Sequence, residues 1–205
     1  IGVFQNLEIG HGEVKEILEH ATIKGVSLTG SEKAGAEVAS IAGKNIKKSL
    51  LELGGSDAFI VLDDADLDEA ARVGALARLQ NCGQTCVAAK RFVIQKNIEF
   101  DFLPKFIEEY KKYVPADPKL KDTKLAGMAR PDLADDLEKQ YQKALEYGAE
   151  AIIPLERISK NEFNPGLIRV EEGNPILQEE LFGPLGMLMI AENDDDVLEI
   201  ANNIP

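Results

Sequence analysis

"TIKGVSLTGSEKAGAEVASIAGKNIKKSLLELGG", Thr22–Gly55, decides the fold class. Ile23 to Leu28 is a strand candidate. Ser31 suits an N-cap, Ala34, Val38 and Ile41 recur three or four residues apart, and Gly43 suits a C-terminal stop. Ser49 to Leu53 is the next strand candidate, closed by Gly54-Gly55. Strand, helix and strand in this order argue for parallel pairing across a helical crossover.

The same alternation runs outward in both directions. Upstream, Gly2 to Leu7 is short, apolar and β-prone, and Gly12 to His20 puts Val14, Ile17 and Leu18 on one helical face. Downstream, Ala58 to Leu62 and Arg91 to Gln95 are strand candidates. Between them, Asp66 and Glu69 form a capping-box pattern for a helix to about Leu79. Phe100 to Val114 is amphipathic. Pro131 can open a helix whose face is Leu133, Leu137, Tyr141, Ala144 and Leu145, ended by Gly148. Ala149 to Leu155, Leu167 to Val170 and Leu185 to Ile190 are strands, and Asp194 to Ile200 is a helix with acids in its first turn. The expectation is an α/β fold with a mostly parallel sheet flanked by helices.

Composition narrows the function. The 205 residues carry a formal charge of −13. Nucleic acid and anionic membrane both need clustered Lys and Arg, so neither is an expected partner. No apolar run approaches the roughly 18 residues of a membrane span, and no signal segment is visible. Two cysteines make no disulfide framework, which points to a reducing cytoplasm. No Cys/His cluster suggests a metal. The chain starts "IGVFQNLEIG" without Met and stops at "LEIANNIP", and it reads as a piece of a longer protein.

Four stretches could carry chemistry. "NCGQTCVAAKRF", Asn81–Phe92, holds both cysteines. Cys86 is either a small buried residue or a nucleophile on a glycine-bearing turn, where thiolate character and access are favoured. Cys82 closes a helical pattern, where packing is its role. His11 and His20 lie far upstream, so a Cys–His pair is poorly supported. "LLELGGSD" places Glu52 alone in an apolar stretch. It is either a general base with a raised pKa or a strand-end carboxylate facing water. "TGSEKAG" could bring Gly30, Ser31 and Gly35 to a phosphate at a helix N-terminus, or be an ordinary strand–helix turn. "QEELFGP" offers Glu179, Glu180 and Phe182 to a ribose diol and a flat ring, or is an acidic loop with one buried Phe.

Together, "TGSEKAG", "LELGGSDAFIV", "NCGQTCVAAKRF" and "EELFGPL" resemble the aldehyde dehydrogenase superfamily, in this order and spacing. "GMARPDLADDLEKQYQKALEYGA" further resembles its short succinate-semialdehyde dehydrogenase-like branch. Ala58 and Leu185 depart from the usual Pro and Val. The resemblance implies oxidation of an aldehyde to a carboxylic acid with NAD or NADP, through a thiohemiacetal and a thioester on Cys86. Glu52 falls on the general base and Cys82 has no assigned role. Gly30, Ser31, Gly35, Leu53, Gly54, Glu180 and Phe182 fall on cofactor-binding positions. Residues 1–52 then read as the C-terminal part of a Rossmann-like cofactor domain. Residues 53–205 read as a cysteine-bearing catalytic domain incomplete at its C-terminus. The family's oxyanion asparagine, opening cofactor-domain strands, adenosine-ribose lysine and oligomerisation strand have no counterpart. The piece alone is therefore expected to be inactive, and the full-length protein to be a homo-oligomer. CoA-acylating or phosphorylating oxidation, a cofactor-free thiol hydrolase and a non-catalytic scaffold are the alternatives.

Overall fold

The computed structural model describes residues 2–204. Ile1 and Pro205, outer bounds of the two expected domains, lie outside the described residues. The chain forms two compact units that divide between Gly54 and Gly55.

In the first unit a 3-10 turn, His11–Glu13, leads into α1 (Val14–Glu19), followed by β1 (Gly25–Thr29), α2 (Glu32–Lys44) and β2 (Lys48–Glu52). The strands pair in parallel, from Gly25 opposite Lys48 to Thr29 opposite Glu52, with α2 as the crossover. Ser31 caps α2, its Oγ accepting the Ala34 N–H at 3.3 Å. The Lys47 ammonium donates to Leu18 O at 2.5 Å and His20 O at 2.7 Å, putting a cation on the carbonyl end of α1. Two expectations are corrected. Gly2–Leu7 forms no strand; Val3, Phe4 and Leu7 are exposed and have no ladder beside them. Gly43 does not stop α2, which runs through Lys44, and the left-handed residue beyond it is Ile46 at φ 53°.

The second unit contains β3 (Ala58–Val61), α3 (Leu67–Leu79), β4 (Arg91–Gln95), α4 (Glu99–Tyr110), α5 (Pro131–Glu146), β5 (Glu150–Ile153), β6 (Glu156–Arg157), β7 (Phe163–Asn164), β8 (Gly166–Arg169), β9 (Leu185–Ala191) and α6 (Asp194–Asn202). Its main sheet runs β3-β4-β9-β8-β5. Every pair is parallel except the edge pair β5–β8. The short β6 and β7 pair separately and antiparallel.

A parallel sheet covered on both faces needs strands that are apolar on both sides. β4 is buried along its whole length. Phe92 and Ile94 face a cluster with Ala71, Ala75 and Leu79 of α3 and Phe102, Phe106 and Tyr110 of α4. Val93 faces the opposite cluster, with Leu137, Tyr141 and Ala144 of α5 and Val197 and Ile200 of α6. β9 alternates the same way, Leu188 toward the first cluster and Met187 and Met189 toward the second. Phe106 joins Phe92, Phe102 and Tyr110, with centroid distances of 4.6, 5.2 and 4.9 Å.

Charged residues at the start of β4 alternate too. Arg91 is buried and donates to Ser56 O, Ile200 O and Ala201 O at 2.8, 2.7 and 2.9 Å, so its guanidinium closes the end of α6. Lys90 points elsewhere, into the loop that carries Cys86. Asp66 caps α3 by accepting from Asp68 N–H and Glu69 N–H. The reciprocal half of the expected capping box is not made; Glu69 instead holds Arg72 through two hydrogen bonds. Pro131 sits in the first turn of α5, and Gly148 follows its end at φ 91°.

Candidate active site

The cysteine loop begins where α3 ends. Asn81, Cys82 and Gly83 follow one another in the left-handed region, at φ 52°, 57° and 69°. Each non-glycine residue there costs roughly 1–2 kcal/mol. A set of hydrogen bonds offsets that cost. Asn81 Nδ2 donates to Gln84 O at 3.1 Å, and Gln84 returns bonds from its backbone N–H and its Nε2 to Asn81 O. Gln84 Oε1 accepts from Ala129 N–H at 2.9 Å, tying the loop to the chain before α5. The buried Arg78 donates to Gly83 O at 2.5 Å.

Gly83 is required for a second reason. A Cβ built on it would collide with Gly183 O and lie 2.5 Å from Arg78 Nη2. The cysteine loop and the "ELFGP" segment are therefore packed backbone to backbone. Gly83→Ala combines a left-handed penalty with overpacking, and is expected to destabilise the second unit by about 3 kcal/mol. A fall in its thermal midpoint of roughly 6–12 °C checks this.

The two thiols differ sharply. Cys82 is 4% exposed and packs into the α5-side cluster. Burial pushes its thiol up to about 12, against the opposing field of Arg78. Cys86 is exposed. Only Cys86 combines access with a loop fixed on both sides.

Lys90 supplies the second fixing point. Its ammonium donates to Thr85 O at 3.4 Å and, at shorter range, to the carbonyl of Cys86 itself. It also ion-pairs with Glu180 Oε1 at 3.3 Å, with side-chain exposures of 0% for Lys90 and 26% for Glu180. The two acids of "QEELFGP" are thereby separated. Glu179 turns to α5; burial resists its ionisation, but hydrogen bonds from Lys143 and Gln140 hold it below the ordinary carboxylate range. Glu180 alone turns to the cysteine loop. Phe182, two residues on, keeps an exposed ring, where the sequence left a buried Phe as an alternative.

These features suit a nicotinamide cofactor. Glu180 Oε1 is buried without a hydrogen-bond partner, which fits the hydroxyls of a ribose, and the open Phe182 ring fits a flat group. In the first unit, Gly30 and Ser31 lie exposed where β1 turns into α2, a place that favours anions. Gly30 N–H is itself bonded to Glu52 O at 3.0 Å, extending the strand ladder. Gly35 lets α2 close on Leu53, since a Cβ there would stand 2.7 Å from Leu53 Cδ2. Glu52 ends β2 and is exposed, so the apolar stretch around it in sequence does not enclose it. Gly54 is the last residue of this unit. The structure thus gathers Cys86, Glu180 and Phe182 in one unit and Gly30, Ser31, Gly35, Glu52, Leu53 and Gly54 in the other.

Sequence reasoning missed Arg78 and Lys90. Arg78 falls on the apolar face of α3 with Ala71, Ala75 and Leu79, and a cation in that phase is the signal. Lys90 immediately precedes a wholly buried strand. Burial lowers Arg78 to about 10, with Tyr110, Glu180 and Cys82 partly compensating. It remains a cation at neutral pH. Among the described residues no group of His, Cys, Asp or Glu is assembled to hold a metal, and no helix is long and apolar enough to cross a membrane.

Comparison with known proteins gives a consistent result. The family model described as "Aldehyde dehydrogenase family" matches residues 2–205. A probable succinate-semialdehyde dehydrogenase [NADP(+)] of Synechocystis sp. is 38% identical over 207 residues, covering 100% of this chain and 46% of the relative. A succinate-semialdehyde dehydrogenase [NADP(+)] of Deinococcus radiodurans is 36% identical, covering 98% of this chain and 43% of the relative. The crystal structure of succinic semialdehyde dehydrogenase from Streptococcus pyogenes, in complex with NADP+, superposes with a TM-score of 0.93 at 36% identity. That match covers 97% of this chain and 44% of that one. The chain therefore spans less than half the length of these relatives.

Proposed function

The chain belongs to the aldehyde dehydrogenase family, and from that premise we propose that it oxidises an aldehyde to a carboxylic acid with NADP+ or NAD+. Succinate semialdehyde is the first substrate to test, because the Synechocystis and Deinococcus relatives carry that name. The observation that carries the reading is the contrast between the thiols: Cys86 is open on a braced loop, while Cys82 is sealed beneath it.

In this reading residues 1–52 contribute to cofactor binding and residues 53–205 carry the nucleophile. The Cys86 thiolate adds to the carbonyl carbon, forming the C–S bond and a thiohemiacetal oxyanion. When bound, the cofactor supplies the acceptor for the hydride that leaves this carbon, which makes the group on Cys86 a thioester. Glu52 then takes a proton from water as that water attacks the thioester, and the C–S bond breaks to return the thiolate. This divides one difficult oxidation into two accessible steps. Ser31 would hold the pyrophosphate end of the cofactor at the start of α2, with Gly30 and Gly35 shaping that turn rather than donating to it, since their N–H groups go to Glu52 O and Ser31 O. Leu53 and Gly54 would line its path, and Glu180 and Phe182 would hold the nicotinamide riboside. A cytoplasmic, homo-oligomeric full-length protein completes the reading.

The test is an aldehyde panel on the full-length protein with each cofactor, following absorbance of the reduced nicotinamide and identifying the product. The expected result is cofactor reduction and a free acid without added CoA or phosphate. Reduction only in the presence of CoA or phosphate assigns the acyl-transferring alternative. No reduction with any aldehyde overturns the reading.

A further inference from the structure

We propose that Lys90 is a positioning residue that couples the Glu180 carboxylate to the nucleophile loop, so that a ligand engaging Glu180 changes the setting of Cys86. The inference builds on the aldehyde-oxidising reading above. An ammonium has three N–H donors. Around Lys90 Nζ stand three oxygens: Thr85 O, Cys86 O and Glu180 Oε1. The side chain is fully buried, so these oxygens take the place of water, and an uncompensated ammonium there is expensive.

The neighbouring charges single out this link. Arg78 also senses the field of Glu180, but its hydrogen bond goes to Gly83 O, at the start of the loop. Glu179 is held by Lys143 and Gln140. Lys90 is the one described side chain bonded to the Cys86 carbonyl and paired with Glu180. The Glu180 side chain is partly exposed, and its buried Oε1 forms no hydrogen bond of good geometry in the chain, so the carboxylate keeps capacity to accept from a hydroxyl. When a ribose diol donates to that carboxylate, its hold on the ammonium weakens. Lys90 then leans on Thr85 O and Cys86 O, and the nucleophile's own peptide moves with it. Cofactor engagement and nucleophile placement are linked through one cation.

The test reads the rate at which limiting iodoacetamide alkylates Cys86, site by site by mass spectrometry, in the full-length protein. Lys90→Met removes the charge at nearly constant bulk and is expected to slow alkylation by about tenfold. Lys90→Arg is expected to restore most of the rate. Glu180→Gln frees the ammonium for the loop and is expected to raise the rate by about threefold, an effect that vanishes in the Lys90→Met background because the two residues act as one unit. A merely structural lysine would give additive changes of the same sign. Additivity, or an unchanged rate in folded Lys90→Met, overturns the proposal. If Lys90→Met does not fold, Glu180→Gln decides alone, and an unchanged Cys86 rate overturns the link. These readouts need no turnover. A full-length protein that fails to reduce nicotinamide would contradict the proposed function while leaving the Lys90–Glu180 coupling measurable.

Discussion

Cys86→Ser is expected to lower aldehyde-dependent cofactor reduction in the full-length protein by about 10⁴-fold or more. The nucleophile must be present as an anion, and a serine hydroxyl without an adjacent base is not one at neutral pH. Lys90, a buried cation beside the loop, is occupied by carbonyls and a carboxylate. Cys82→Ser is expected to retain most activity, because Cys82 is buried. Its thiol, pushed up to about 12, is protonated at neutral pH and gains thiolate only as pH climbs toward that value. Limiting iodoacetamide at neutral pH should label Cys86 first, with activity lost in step. Early labelling of Cys82, or substantial turnover by Cys86→Ser, contradicts the assignment.

Glu52→Gln has the second-largest expected effect. General-base catalysis contributes roughly 10²–10⁴-fold, so steady-state turnover should fall by about that factor. The loss should fall on hydrolysis of the thioester. A rapid first turnover of cofactor reduction should therefore survive in stopped-flow traces, followed by a slow phase. An unchanged steady-state rate excludes Glu52 as the base. Loss of the burst as well would mean that it also helps to activate the thiol.

Much of this was legible in local sequence, because the deciding signals were local. Ser31 caps α2, Asp66 caps α3, Pro131 opens α5 and Gly148 follows it. The strands β4 and β9 were visible as apolar runs because both of their faces are covered. The failures were tertiary. Gly2–Leu7 has strand composition but no partner strand among the described residues. β6 and β7 are two residues each, too short for any period to register. Glu69 found Arg72 one turn away and left the capping box. The cysteine turn was readable from Gly83, which tolerates left-handed backbone, but not from Cys82, which adopts it only because the surrounding bonds hold it there. Lys90 and Glu180 lie far apart in sequence and act together only through the order of the sheet, which brings β9 beside β4.

One measurement bears most directly on the central claim, that Cys86 carries the acyl group between oxidation and hydrolysis. Full-length Glu52→Gln protein is mixed with succinate semialdehyde, with and without NADP+, quenched in acid and digested for peptide mass mapping. The account predicts an acyl adduct on the peptide cysteine Cys86, formed only when cofactor is present and in proportion to the cofactor reduced in the burst. Cofactor reduction with no adduct on Cys86, or with the adduct on Cys82, would contradict it.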